Sequence, residues 1–501
     1  MGTRSSAALG FAMDALSMPD LQQHWLAFAV LGVYGVWLVR NARVGADRVS
    51  GLEEYTVGGR SFGGFAIGMS YFATYASTNS YIGNAGKGYD YGVPWLVLPT
   101  AILLFTWLSW RVVAPRMRAL SRVDGSLTLP EFFGHRFPSD SLVLRRLTAI
   151  VILVSSMLYL LAVFKGTGHL FQLFLGLSYT AAIALALLLV VAYTALGGFH
   201  SVVRTDVLQG ALMLVGSVVI GAGVLRAAGG PVAFDALRTE PATQHLFRWD
   251  AGAPFAVVLG IGIAGAMKLL VDPRQTSRFF ALKDDHSTRL GMLIAAAGLG
   301  VILFSLVPVG LLAHRLLPPV TDTDLIVPTL LATDTYFAWW VRELLMVAIL
   351  SAALSSLDSV LLVAASVAYR DVLEPLLTTR DERLALRATR LCVLAFALLA
   401  AALALRPPAG IVELTTFSGS LYAACFLAPT LFGLYWSRGN ANAAVAAMVS
   451  GIATLLIWRG AGLSAVLHEV FPALGVSLFS YCLWALRTSP ARSSLSRSGS
   501  K

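Results

Sequence analysis

Charge is scarce in this chain. Asp, Glu, Lys and Arg make up 13% of its 501 residues, about half the share found in a soluble domain. Lysine is scarcer still, with five among 37 basic residues. The three cysteines, Cys392, Cys425 and Cys482, have neither the number for a disulfide framework nor the close spacing of a metal site. The eight histidines are scattered. They suggest no metal cluster and no nucleophile–base pair. No phosphate-binding glycine loop is present, which argues against an ATP-driven pump. Stretches between apolar runs reach roughly 35 residues at most, too short for a soluble catalytic domain. The expectation is a protein that is not an enzyme. Met1–Gln23 has neither the basic start nor the apolar core of a cleavable signal.

What is there is apolar surface. Hydrophobic residues are 57% of the chain, and the mean hydropathy is +0.74. About thirteen runs have the length and apolarity of bilayer-crossing helices, near 25–40, 62–86, 91–111, 147–175, 178–196, 204–226, 252–275, 290–314, 340–369, 389–406, 410–436, 441–458 and 470–486. The chain therefore reads as an all-α integral membrane protein. Arginines fall on alternate loops: Arg40, Arg43, Arg48 and Arg60; Arg111, Arg116, Arg118, Arg122, Arg136, Arg145 and Arg146; Arg370, Arg380, Arg383, Arg387 and Arg390; and Arg487, Arg492, Arg497 and Lys501. The other loops hold acids such as Asp322, Asp324 and Asp334. The positive-inside rule then puts the N-terminus outside and the C-terminus in the cytoplasm. The net charge of +10 belongs to loops beside anionic membrane lipid, not to nucleic-acid binding. Arginine-for-lysine usage fits a bacterium with GC-rich DNA, and hence an inner membrane.

The stretch Leu350-Ser351-Ala352-Ala353-Leu354-Ser355-Ser356-Leu357-Asp358-Ser359 lies inside one of these apolar runs. Ala352, Ser355 and Ser356 share a helical face, and Ser355, Asp358 and Ser359 repeat that spacing one turn on. Stacked oxygens in an apolar helix suit a small hard cation. They also suit close helix packing, in which hydroxyls bond back along their own helix.

Two spans are interrupted. The second carries the polar, β-branched run Thr74-Tyr75-Ala76-Ser77-Thr78-Asn79-Ser80, a poor unbroken helix. The seventh carries Gly260, Gly262 and Gly265, then Lys268 and Asp272-Pro273-Arg274. Proline frees a carbonyl and kinks a helix. Unwound backbone at membrane depth must line a cavity or be covered by protein. Matching breaks five spans apart point to two inverted five-helix repeats and to a transporter.

Three motifs carry a resemblance. The first is Phe72-Ala73-Thr74-Tyr75-Ala76-Ser77, followed by Tyr81-Ile82-Gly83 and Gly86. The second is Gly197-Gly198-Phe199-His200-Ser201-Val202-Val203-Arg204-Thr205-Asp206-Val207-Leu208-Gln209. The third is the Ser/Asp helix ending in Arg370-Asp371, with Pro273 and Ser277-Arg278-Phe279 in support. Over roughly residues 50–440 the chain resembles the sodium:solute symporter family, whose members carry proline, pantothenate, monocarboxylates and sugars. The resemblance implies a LeuT-type 5+5 core over about 62–437, within a transporter domain spanning 25–487. Residues 1–24 would be an extracytoplasmic tail and 488–501 a disordered cytoplasmic one.

The resemblance also implies sites. Na+ as coupling ion would be held by carbonyls of Ala73, Ala76 and Ala352 and hydroxyls of Ser355 and Ser356. Tyr75 stands where some relatives carry an acid. Asp206, Asp358 and Ser359 would form a second cation site or, without a cation, a proton site. Asp206 has a local reading too, because Asp206-x-x-Gln209 at a helix start is a capping box. The transported solute would be a small monocarboxylate or an amino-acid-like molecule. Lys165, Lys268 and Arg274 are costly charges in or near spans, and Lys165 or Arg274 would meet the solute's carboxylate unless paired with a nearby aspartate. Tyr75, Asn79 and Tyr422 would line the cavity. Sodium-coupled symport by alternating access competes here with proton coupling and with a transporter-like solute sensor. The oligomeric state is open.

Overall fold

The computed structural model describes residues 25–137, 141–250, 252–333, 335–377 and 381–487. The two expected tails lie outside the described residues, as do Asp334, Arg380, Arg492, Arg497 and Lys501. Among the described residues the chain is helical, with no strand beyond a single bridge between Phe62 and Leu282.

The principal helices are α1 (Trp25–Ala46), α2 (Gly64–Tyr75), α3 (Asn84–Tyr91), α4 (Val97–Leu108), α5 (Ser141–Leu175), α6 (Tyr179–Ala227), α7 (Phe255–Met267), α8 (Pro273–Ala281), α9 (Asp285–Leu316), α10 (Trp339–Val367), α11 (Glu382–Ala404), α12 (Ile411–Tyr435), α13 (Ala441–Gly460) and α14 (Val470–Arg487). Among the described residues, ten helices are long and apolar enough to cross a bilayer. Neither α1 nor the interrupted pair α2–α3 is among those ten, and α6 counts once. The expected thirteen therefore holds only if α1, the α2–α3 pair and both arms of α6 each cross.

The runs near 178–196 and 204–226 were expected to be separate helices with a loop between them. Instead α6 continues through both, bent at Gly198, whose φ of 52° and ψ of −148° exclude side chains with a Cβ. The arms run in opposite directions. At the start of α6 the Tyr179 hydroxyl donates to Ala404 at one end of α11. Near the bend Arg390, close to the other end of α11, donates to Leu196 O. Beyond the bend Asn41 donates to Ser201 O, and Gln209 donates to the Tyr34 hydroxyl, so the second arm runs antiparallel to α1. Asp206 thus sits inside a helical arm and does not cap it.

Two sets of five segments form the core, each headed by a broken helix: α2–α3 in the first and α7–α8 in the second. Both halves of the first broken helix rest on α9 with almost no side chain between. A Cβ on Gly64 would strike the Ser287 backbone, and one on Gly310 would strike the Ala85 carbonyl. The two broken helices are also tied together. Phe62 N–H donates to Ala281 O at 3.1 Å, and Lys283 N–H donates to Phe62 O at 3.0 Å. Against this unit packs α10, in which every residue from Leu345 to Val367 is buried. A helix apolar on all sides belongs in the interior, and its serines and aspartate are thereby forced to find partners.

Candidate functional site

Helix α2 ends at Ala76, whose backbone turns extended (φ −72°, ψ 103°). The chain re-enters helix through a wide turn at Asn79–Gly83. Ser77 organises the restart: its Oγ accepts from Asn79 N–H at 3.2 Å and its carbonyl accepts from Ser80 N–H at 2.9 Å. The interruption leaves the carbonyls of Ala73 and Thr74 without their usual helical donors. Helix α10 supplies replacements. Ser355 Oγ donates to Ala73 O at 2.9 Å, and Ser356 Oγ donates to Thr74 O at 3.1 Å. A buried carbonyl left unmade would cost about 1–3 kcal/mol.

Ser355 Oγ also lies 3.2 Å from Ala352 O. Three oxygens therefore converge where one hydroxyl proton is available, so one carbonyl always keeps a free lone pair. Such a set fits a sodium ion, which would let the hydroxyl turn its lone pair inward. Ala73, Ala352 and Ser355 are brought together as expected. Ser356 faces Thr74 instead. Ala76 is buried at the break, with no hydrogen bond to either serine among the described residues.

One turn deeper, Asp206 and Ser359 do meet, but the positive charge between them belongs to Arg278. Its Nη2 donates to Asp206 Oδ2 at 3.2 Å, Ser359 Oγ at 2.6 Å and Thr74 Oγ1 at 2.8 Å. Its Nε donates to Ser70 Oγ at 3.1 Å, and Ser70 Oγ donates to Asp206 Oδ2 at 2.5 Å. Asp358 is reached through Ser359, whose hydroxyl lies 3.1 Å from Asp358 Oδ1; Tyr193 OH donates to Asp358 Oδ2 at 2.9 Å. Arg278, Asp206 and Asp358 are all fully buried. Asp206, Asp358 and Ser359, expected to form a second cation or proton site, are thus joined by a cation that belongs to the chain and is paired with Asp206. The sequence marks Arg278 only within the Ser277-Arg278-Phe279 motif and with no site role, because a basic residue on the short amphipathic helix α8 looks like an end-of-span charge.

A small cavity of about 20 Å³ opens beside the breaks, lined by Tyr75, Asn79, Trp95, Tyr159 and Lys268 among others. Tyr75 is fixed by donating to Gly265 O at 2.9 Å, across from one break to the other. The Lys268 ammonium lies 5.0 Å from the Tyr75 ring centre and 5.3 Å from that of Tyr159. No salt bridge engages Lys268 among the described residues. Asn79 Oδ1 and Trp95 Nε1 are buried without a hydrogen-bond partner.

The other expected solute contacts are placed differently. Arg274 is held by Asp272, with Nη2–Oδ2 at 2.5 Å, and lies 3.9 Å over the Tyr159 ring, so it supports the cavity wall from behind. Asp272 also caps α8, accepting from Arg274 N–H at 2.9 Å. Lys165 pairs with Asp324 at 3.4 Å and does not line the cavity. Tyr422 is buried beside Ser156, 3.3 Å away, and does not line it either.

A sequence model of the sodium:solute symporter family matches residues 55–451. The chain belongs to the sodium:solute symporter family. It is 28% identical over 442 residues to the sodium/pantothenate symporter of Haemophilus influenzae, covering 86% of this chain and 89% of that one. It is 29% identical over 480 residues to the osmoregulated proline transporter OpuE of Bacillus subtilis, covering 93% and 95%. A solved sodium-coupled sialic acid symporter, in a substrate-bound outward-open state, shares the fold at a TM-score of 0.81, covering 93% of this chain and 99% of that one at 19% identity. A structure of Mhp1, a nucleobase-cation-symport-1 family transporter, matches more loosely, with a TM-score of 0.51, 13% identity and coverage of 88% and 96%. The fold is thus a LeuT-type all-helical membrane fold, and this family member works by sodium-coupled symport of a small solute.

Proposed function

We propose that this symporter carries a small organic monocarboxylate, bound in the cavity at the helix breaks with its carboxylate on Lys268. The observation that carries this reading is the Lys268 ammonium, 5% exposed, on the wall of that cavity and free of any salt bridge among the described residues. An unpaired ammonium at membrane depth is costly, and an anionic solute would relieve it. Tyr75, Tyr159 and Trp95 would clasp the apolar body of the solute. Asn79 and Trp95 each offer an open hydrogen-bonding atom to a polar group at its far end. Relatives named for pantothenate and proline support a small solute that bears a carboxylate.

Sodium would enter between Ala73, Ala352 and Ser355, with Ala76 and Ser356 completing the shell once Ser356 turns from Thr74. Its binding would tie α10 to the break and favour the state that closes over the solute. We read the arginine-rich face as cytoplasmic in a bacterial inner membrane, with 25–487 as the transporter domain.

Uptake of radiolabelled pantothenate into proteoliposomes under an inward sodium gradient tests the assignment, with its neutral alcohol analogue as competitor. Pantothenate and other small monocarboxylates should compete and the alcohol should not. Lys268→Ala should raise KM at least tenfold, and Lys268→Arg should restore part of the loss. Equal competition by acid and alcohol would refute the assignment.

A further inference from the structure

An apolar groove runs along the outside of the bundle, away from the solute cavity. It encloses about 590 Å³ between α1, the second arm of α6 and α10. Val33 and Trp37 come from α1, Leu208 and Val215 from α6, and Leu344 from α10. Its length is that of an acyl chain: Leu208 to Val219, both in its lining, covers about 16 Å of helix at 1.5 Å per residue, about half the hydrocarbon thickness of a bilayer. Close approach of Gly216 to Ala348 leaves little side chain at its floor.

The groove has a charged end. Arg40 follows Trp37 by three residues and Arg204 precedes Leu208 by four, so each continues the groove-facing stripe of its helix by one turn. The bond from Asn41 to Ser201 O, 3.3 Å long, holds these two helix ends side by side. Both arginines are exposed, and neither makes a salt bridge among the described residues. Uncharged lipid would satisfy the groove and leave both guanidinium groups without a counter-ion.

We propose that this groove binds one acyl chain of an anionic glycerophospholipid, with its phosphate held by Arg40 and Arg204. The lipid would seal α1 against the two helices that carry Asp206 and Ser355. Tyr34, at the groove wall, already bridges them: it accepts from Gln209 at 2.7 Å and lies 3.5 Å from Ser351 Oγ.

The test is lipid retention by the full chain purified in detergent from an equal mixture of phosphatidylglycerol and phosphatidylcholine with the same acyl chains, read by mass spectrometry. Wild type should retain phosphatidylglycerol in excess, by on the order of fivefold per arginine. Arg40→Gln with Arg204→Gln should bring the two lipids to parity, and Val215→Trp, which fills the groove, should reduce both. Should the double variant not run as a single species, Arg204→Gln alone should lower the preference by roughly fivefold. Parity in wild type, or an unchanged preference in the arginine variants, overturns the proposal. So does a dimer that Val215→Trp converts to monomer, which would put a second copy of the chain in the groove.

Discussion

Two oxygen clusters join the first broken helix to α10, one turn apart, and they differ in what neutralises them. The outer one, around Ser355, contains carbonyls and hydroxyls only, at 2.9 and 3.2 Å from Ser355 Oγ. The inner one, around Ser359, contains two carboxylates and the guanidinium of Arg278. A neutral oxygen set can take up and release an ion as the helices part. A set in which Asp206 is paired with a tethered guanidinium cannot lose that cation without losing the side chain. On the proposed reading, the same contact would serve as an exchangeable latch at one level and a fixed pin at the next.

The difference can be broken most severely at the pin. Arg278→Ala would leave Asp206 buried and uncompensated, a loss on the order of 3–5 kcal/mol. The expected outcome is little monodisperse protein on size-exclusion chromatography, improved when Asp206→Asn is added. Full stability of the single variant would refute the fixed-pin reading. At the latch, Ser355→Ala with Ser356→Ala should raise the sodium concentration for half-maximal uptake at least tenfold. It should also abolish the rise in melting temperature expected in sodium over choline, an effect of mass action on the folded state worth about 2.7 kcal/mol at a hundredfold excess over Kd. A sodium-dependent rise that survives in the double variant would move the ion elsewhere. Asp358→Asn sharpens the contrast: with the pin fixed, the sodium half-saturation should stay within about twofold, since an amide still accepts from Tyr193. A tenfold change there would make the inner cluster an ion site after all. The smallest effect is expected at Lys165→Ala, an ion pair with Asp324 away from the cavity, where uptake should change by less than about twofold.

Much of this is legible in the sequence. Ser355 and Asp358 stand out because polar side chains inside a fully apolar run require partners, and the run from Thr74 to Ser80 stands out because it cannot hold a helix. Both signals are local. Distances between segments far apart in the chain are not legible in this way. Lys165 reads as a solute contact because it is a charge in a span, yet its partner Asp324, 159 residues away, becomes visible only once the helices are assembled. Arg274 has its partner Asp272 two residues away, and what the structure adds is that the pair is closed. Lys268 was noted as the same kind of charge, and its place on the cavity wall depends on how far the second break unwinds. Arg278 is hidden for the opposite reason: its partners come from α2, α6 and α10, none of them near it in sequence. Tyr159 and Trp95 carry no local mark, since aromatic residues in membrane helices mostly pack. The loop expected before Asp206 was absent because one glycine reverses the chain without needing one.

The seating of both halves of the broken helix on α9, backbone against backbone at Gly64 and Gly310, limits how the machine can fail. A joint with no side chain in it has no slack to absorb a misfit, so drift in sequence there would jam the whole rocking unit at once. Tolerance to variation should instead concentrate where that unit slides past its surroundings. The long-term adaptability of such a carrier to new solutes therefore resides in the lining of its cavity, while the axle on which it turns stays closed to experiment by natural variation.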